Sequence, residues 1–532
     1  MSKKKETFFQ SIMALMFSQV IVKILGLVYK LYLTNKNEFG DEGNAITSAA
    51  FQVYSLLLSI TSIGVPGSVS KLVAQRVAIG DHKGAYKIFK ISLAVFSILG
   101  IIASYALFYS SKIIANQILG MPEVELSLIA LSPSIFLVSV ISVYKGYFNG
   151  REKMSITAKA QTYDQLTKTF ITIVLIEIST IISKVTNIAL IASIANLAIT
   201  IANVVEFMYL YIFYKKELPD IKYEIITSVN YKKVRTLKTI KEILIVAIPM
   251  SLSPFIGTIG KNIDSTTIVG GLQKNMSYEQ AKIQYGILNG KVDTLINFPL
   301  SFSGTISTAL IPGIAAAKSV GKLTEVEKRI NLALLMGLLI ALPSTFVFCF
   351  YSNEILKLLF PNASSGSIIL QISSLSIIFI SIEQTIRSVL IGIGNNKIPI
   401  ISITIGVIVK TILNKILIPL NISIGGINGA AIANLISHIT MASLCYIWLK
   451  KEINIKIDKK NILKAIFSTT IFIILSKIIY HILLIKINLK ISLIISLIIG
   501  ILIYIILLIL LKILDIKQLK ILSFSQKKAK IK

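Results

Sequence analysis

The chain has 532 residues, 54% of them apolar, and a mean hydropathy of +0.78. That is too apolar for a soluble domain. The net charge of +30 would suit a nucleic-acid binder, but the basic residues sit mainly in alternate short loops and at both ends, where orientation signals belong, so that class is set aside.

Apolar stretches of about 20 residues recur from end to end, each long enough to cross a bilayer as a helix. They are long and continuous rather than short and alternating, which excludes a barrel. The pattern predicts an all-α polytopic membrane protein with about 14 transmembrane helices. Expected spans are 8–34, 46–70, 88–115, 124–148, 156–182, 186–214, 241–271, 284–315, 330–352, 366–392, 398–420, 426–449, 462–485 and 490–514. MSKKKETFF is followed by a span that is too long for a cleavable signal. With the N-terminus inside, the inner segments hold 37 of the 55 Lys and Arg and the outer loops hold eight. This predicts both termini in the cytoplasm.

The first span carries the first anomaly. VIVKILGLVYKLYL, at 20–33, keeps Lys23 and Lys30 seven residues apart, on one helix face. Lys23 stands fifteen residues into its helix, too deep to reach the inner surface. A charge near the bilayer centre costs at least about 2.5 kcal/mol, so a polar cavity is expected around it. Lys30 is nearer the outer end and can also snorkel. Span two contains Gly64, Pro66 and Gly67. Span seven contains Pro249, Pro254, Gly257 and Gly260, and span eight contains Pro299, Gly304 and Pro312. These suit helices that bend, although both residue types are common in membrane helices.

Other spans carry local charge pairs: Asp164/Lys168, Lys261/Asp264, Lys291/Asp293 and Glu383/Arg387. Partners at i, i+3 and i, i+4 neutralise one another, so structural pairing competes with a site. Lys410 and Glu206 have no local partner. The sum favours a cavity with excess positive charge, which disfavours organic cations and suits an anion such as a pyrophosphate. Lys23, Lys30, Lys261 and Lys291 are the candidate anion-binding residues. Asp264 and Asp293 are candidates for coupling to an ion. No nucleotide-binding or hydrolytic motif appears, and no cofactor is expected. Cys349 and Cys445 read as buried thiols, and the three histidines form no metal-ligand spacing, so no metal site is expected.

The chain also repeats weakly. KLVAQRVAIGDHKGAYK at 71–87 falls on PGIAAAKSVGKLTEVEK at 312–328, with Gly80 on Gly321 and Lys87 on Lys328. NGREKM at 149–154 falls near IGNNKI at 393–398. Both shifts are close to 240 residues, and both matches lie in inner loops. Two six-helix lobes related by a pseudo-twofold axis normal to the membrane are therefore expected. The first covers 1–225, a cytoplasmic linker 226–240, the second lobe 241–452, and two further helices with a basic tail 453–532.

Several stretches resemble a known family. VKILGLVYKLYL with GDEGNAI, YSLLLSITSIGVPGSVSKLVAQRVAIGDHKGAYKIFK, VYKGYFNGREKMSITAKAQTYDQ at 143–165, IDSTTIVGGL at 263–272 and YGILNGKVDTLINFPLSFSGTISTALIPGIAAA at 285–317 resemble the stage V sporulation protein B type of polysaccharide biosynthesis protein. That type belongs to the exporter superfamily of lipid II flippases, oligosaccharide-lipid flippases and multidrug extruders. The resemblance implies two six-helix lobes plus two C-terminal helices in a bacterial cell membrane. It implies no enzyme activity, but alternating-access transport of an undecaprenyl-pyrophosphate-linked sugar, best matched by lipid II, for cell wall or spore cortex peptidoglycan. Such a cycle also needs a bias, from membrane potential or from an ion gradient with a monovalent cation as the candidate partner beside membrane lipids. Lys23 and Lys30 match the basic positions of the family's first helix; Lys261 and Lys291 rest on the charge argument alone. The rivals are a flippase for another polysaccharide lipid, a multidrug cation antiporter and a non-transporting scaffold.

Overall fold

A computed structural model describes residues 8–513 except 183, 230–235, 310–313, 315–317, 319–322, 396 and 454–456. Pro312 and Gly321, and most of the basic residues at the two ends of the chain, lie outside the described residues. Every regular element among the described residues is helical, as a sequence without period-2 alternation requires.

The chain divides into two compact units. The first comprises Met1–Lys291 together with Asn414–Pro419. It contains α1 (Phe8–Asn35), α2 (Gly40–Thr61), α3 (Val65–Ala78), α4 (His82–Ile113), α5 (Glu125–Gly150), α6 (Met154–Glu177), α7 (Ile188–Ile226), α8 (Thr236–Leu272) and α9 (Tyr278–Tyr285). The expected second span is broken in two. Ser62 to Gly64 leave the helix, and Pro66 opens α3 near its first position, where its missing N–H costs nothing. In α5 and α8, by contrast, Pro133, Pro249 and Pro254 stay inside continuous helix, which packed neighbours make tolerable in a membrane.

Within this unit α1 packs on α6, α6 on α7, α5 on α4 and α7, and α2 on α5 and α8. Its apolar centre gathers Val69, Val73, Phe89, Tyr144, Tyr147 and Phe148. Phe89 meets Tyr147 at 4.4 Å and Tyr144 edge-on at 5.2 Å, the offset geometries aromatic rings prefer. The 39-residue α7 runs past the membrane length, and its far end is tied by Arg151 to Glu224 (2.8 and 2.9 Å) and by Lys153 to Glu217.

The second unit comprises Val292–Leu413 and Leu420–Lys532. It contains α10 (Asp293–Ala309), α11 (Leu323–Phe350), α12 (Ser352–Leu359), α13 (Ser367–Ser374), α14 (Ser376–Gly392), most of α15 (Lys397–Leu417), α16 (Gly426–Glu452), α17 (Lys459–Leu484) and α18 (Leu489–Leu510). Two hydroxyl bridges join α10 to α14: Ser303 to Ser381 at 2.6 Å and Ser307 to Thr385 at 2.9 Å. α17 and α18 pack on each other, and Phe472 and Tyr504 join Leu335, Leu338 and Leu342 of α11 in one cluster.

Thirteen helices among the described residues are long and apolar enough to cross a membrane. The protein is an all-α, multi-pass membrane protein. The eighth expected span exists as helix from 278 to 309, but a π-helical stretch, Gly286–Val292, interrupts it and the unit boundary falls inside that stretch. Packing thus groups α8 and α9 with the first unit.

Candidate functional site

On α1, Lys23 is half-buried, and among the described residues no carboxylate lies within ion-pair distance of its ammonium. Lys30 is buried, at 8% exposure. Both lie on the helix that packs on α6. There the expected Asp164/Lys168 pair is absent. Lys168 instead stands 4.6 Å over the ring of Tyr29, a cation–π contact that offsets part of its desolvation. Towards the start of α1, polar groups satisfy one another across the helix pair. Gln19 meets Gln161 at 2.8 Å, and Ser18 reaches the Ala158 carbonyl at 2.7 Å.

Lys291 has a different setting. Its side chain is fully enclosed, and its ammonium donates to Asp41 Oδ2 at 2.8 Å. The partner is therefore 250 residues away in sequence, at the start of α2. As a ligand for substrate, Lys291 would first have to leave Asp41. Glycines make this approach possible. A side chain at Gly286 would collide with the Asp41 carbonyl, and one at Gly290 with Asn44 at 2.6 Å. Beside this pair, Lys282 on α9 meets Glu42 at 2.7 Å, Glu123 at 2.9 Å and Glu279 at 3.0 Å. Burial alone would lower the Lys282 pKa, but the three carboxylates outweigh it and hold the pKa above the ordinary lysine value. Tyr278 donates to Glu123 at 2.8 Å; burial and that carboxylate together push its pKa up.

On α8, Asp264 is buried and accepts from Asn414 Nδ2 at 2.9 Å, while Lys261 is exposed. Asp293 begins α10 and is half-buried. Lys410 is buried on α15. Glu383 and Arg387 form the expected i, i+4 pair, at 3.4 Å. Glu206, which has no local partner, is paired with Lys145 at 2.7 Å. Thus the structure neutralises Glu206, Lys282 and Lys291 by long-range contacts, leaving Lys23 on α1 as a buried-side cation with no acidic neighbour among the described residues. The Lys282 cluster went unnoticed in the sequence because its carboxylates come from three separate stretches. Its one local signal is Glu279 three residues before Lys282.

The family profile described as "Polysaccharide biosynthesis protein" matches residues 8–318, more than half of the chain. The chain belongs to that family. A second profile, MatE, matches residues 291–416. Stage V sporulation protein B of Bacillus subtilis (strain 168) is 24% identical over 459 residues, covering 86% of each chain. Lipid II flippase MurJ of the same organism is 25% identical, covering 81% of this chain and 80% of that one. In fold, the chain is similar to a solved structure of lipid II flippase MurJ in an inward closed conformation. The TM-score is 0.68 at 19% identity, with 94% of this chain and 98% of that one covered. The family and these relatives make it a member of the exporter superfamily to which the sequence pointed.

Proposed function

We propose that this chain is a flippase. It carries an undecaprenyl-pyrophosphate-linked sugar, with lipid II as the best-fitting substrate, from the inner to the outer leaflet of a bacterial cell membrane. Both termini are cytoplasmic in this reading, the chain is not an enzyme, and alternating access moves the head group while the prenyl tail stays in lipid. The named relatives support the transport class. The observation that carries the reading is Lys23: a half-buried ammonium within a membrane helix, without a carboxylate partner among the described residues, on one face with buried Lys30. Such charge is costly in a bilayer, and a pyrophosphate entering beside it supplies the missing counter-charge. Lys261 and Lys291 are secondary contacts, Lys291 after release from Asp41. Asp264, held by Asn414, and Asp293 are the carboxylates through which a monovalent cation would bias the cycle. A membrane potential contributes about 2.3 kcal/mol per unit charge per 100 mV to such a bias.

The test is the double variant Lys23→Ala/Lys30→Ala in cells that depend on this chain, read by a leaflet-resolved lipid II assay. The expected result is loss of outer-leaflet lipid II with normal membrane insertion. Unchanged flipping refutes the assignment. The MatE match at 291–416 favours a second reading, cation antiport. That reading predicts drug resistance that survives the lysine substitutions.

A further inference from the structure

We propose that Gln165 of α6 is a hydrogen-bond donor to a phosphate oxygen of the transported lipid, a third contact beside Lys23 and Lys30. This inference rests on the flippase reading above. Its basis is a change along the α1–α6 interface. One turn before Lys23 on α1 the facing polar groups, Ser18 with Thr162 and Gln19 with Gln161, bond to one another at 2.8 Å. One turn further along α6 that mutual satisfaction stops. Gln165 is only 8% exposed, and its amide nitrogen is enclosed without a hydrogen-bond partner among the described residues.

The amide nitrogen lies 3.7 Å from the point where Gly26 would carry a Cβ. Gly26 is three residues after Lys23 and four before Lys30, so all three share a face of α1. The unsatisfied donor therefore looks onto bare backbone between the two ammonium groups. Lys168 follows on α6, over Tyr29. Asp164, the adjacent carboxylate, forms no ion pair with it among the described residues.

A buried serine or threonine in a helix can turn its hydroxyl back to the carbonyl one turn earlier, as Thr169 does to Gln165 O at 2.9 Å. A glutamine amide facing another helix has no such recourse, and leaving its donor unmade is costly. The group that would satisfy it is an acceptor brought from outside. Lys23 and Lys30 flank Gly26 on α1 and Lys168 follows on α6, so cations outnumber the one adjacent carboxylate, Asp164, which suits a charged acceptor. A phosphate oxygen fits that description, and donor bonds to charged acceptors are the stronger kind. A sugar hydroxyl, which both donates and accepts, needs no such excess of cations.

The experiment titrates the full chain in nanodiscs with undecaprenyl pyrophosphate and follows affinity and melting temperature together. Gln165→Leu is expected to weaken binding by at least about tenfold without lowering the melting temperature. Gln165→Glu, an acceptor of the same shape, is expected to weaken it as much. Gly26→Ala places a methyl in ordinary van der Waals contact with the amide, so it folds, and it is expected to weaken binding by filling the bare patch. Wild-type affinity in Gln165→Leu overturns the proposal, as does a lowered melting temperature with unchanged affinity. Full affinity in Gln165→Glu with loss in Gln165→Leu also overturns it, because the group served is then a hydroxyl. Lys23→Ala/Lys30→Ala separates the two levels: if that variant binds as wild type, the assignment of the anion site to α1 fails, and the role of Gln165 with it; if no chain binds undecaprenyl pyrophosphate, wild type included, the flippase reading itself fails; if the double variant loses binding while Gln165→Leu keeps it, only the role of Gln165 fails.

Discussion

Replacing Lys291 by Met tests how the start of α2 is held. The Lys291–Asp41 contact is 2.8 Å, with the lysine fully enclosed and Asp41 at 9% exposure. At that distance, with an effective dielectric near 20, the gross attraction is about 6 kcal/mol. Desolvation of two ions removes much of it, so the pair as a whole contributes little net stability. Deleting one partner is another matter, because a buried charge is then left uncompensated, at a cost of about 3–5 kcal/mol. Lys291→Met and Asp41→Asn should therefore each destabilise strongly. The double variant should recover to within about 1 kcal/mol of wild type, giving a large coupling energy in a double-mutant cycle. The assay is reversible denaturation of the detergent-solubilised chain, followed by the Tyr and Trp signal. If Lys291→Met alone costs under about 1 kcal/mol, or if the two losses simply add, the pair does not hold these elements together.

Two other outcomes are expected. Lys282→Met leaves Glu42, Glu123 and Glu279 facing one another, so its deficit against wild type should be large at neutral pH and shrink as acid protonates them. In the wild type the contact has two limits. The Lys282 pKa is raised on folding, so while its carboxylate partners are ionised its stabilisation is complete below the ordinary lysine value of about 10.4. It is lost as pH climbs through the folded value, and at the acid end as pH falls through the lowered value of Glu123; melting temperature against pH reads both limits. Gly286→Ala drives a methyl into the Asp41 carbonyl; the expected result is a lower melting temperature and a smaller yield of monodisperse protein, whereas an unchanged melt would show that α2 can move aside.

Hydropathy located the spans because lipid allows so few alternatives: backbone groups must be satisfied within the segment, so a run such as 489–510 declares itself. The break at 62–64 was half legible. Gly64, Pro66 and Gly67 announced a bend, but where the helix stops and restarts depends on what packs there. At Gly64 an added Cβ would meet the Ala247 carbonyl at 2.8 Å. The eighth span was harder, since a π-helical stretch has no composition of its own. Charges were the least legible part. Neighbour rules offer Lys291 only Asp293, two residues on and not on its helix face, and leave Glu206 alone, yet the fold joins Lys291 to Asp41 and Glu206 to Lys145. Those contacts are fixed by which helices adjoin, information a local pattern does not carry. The depth of Lys23 in its helix could be read for the opposite reason: position along a span is a local property.

The 39 residues of α7 amount to about 58 Å at 1.5 Å per residue, nearly twice the roughly 30 Å of hydrocarbon in a bilayer. A large part of this one rod must stand in water or among head groups. The chemistry along it changes accordingly: the stretch in hydrocarbon answers to lipid, while the end braced by Arg151 and Lys153 answers to dissolved salt. Ionic strength can therefore slacken one end of a single continuous helix and leave the other as it was.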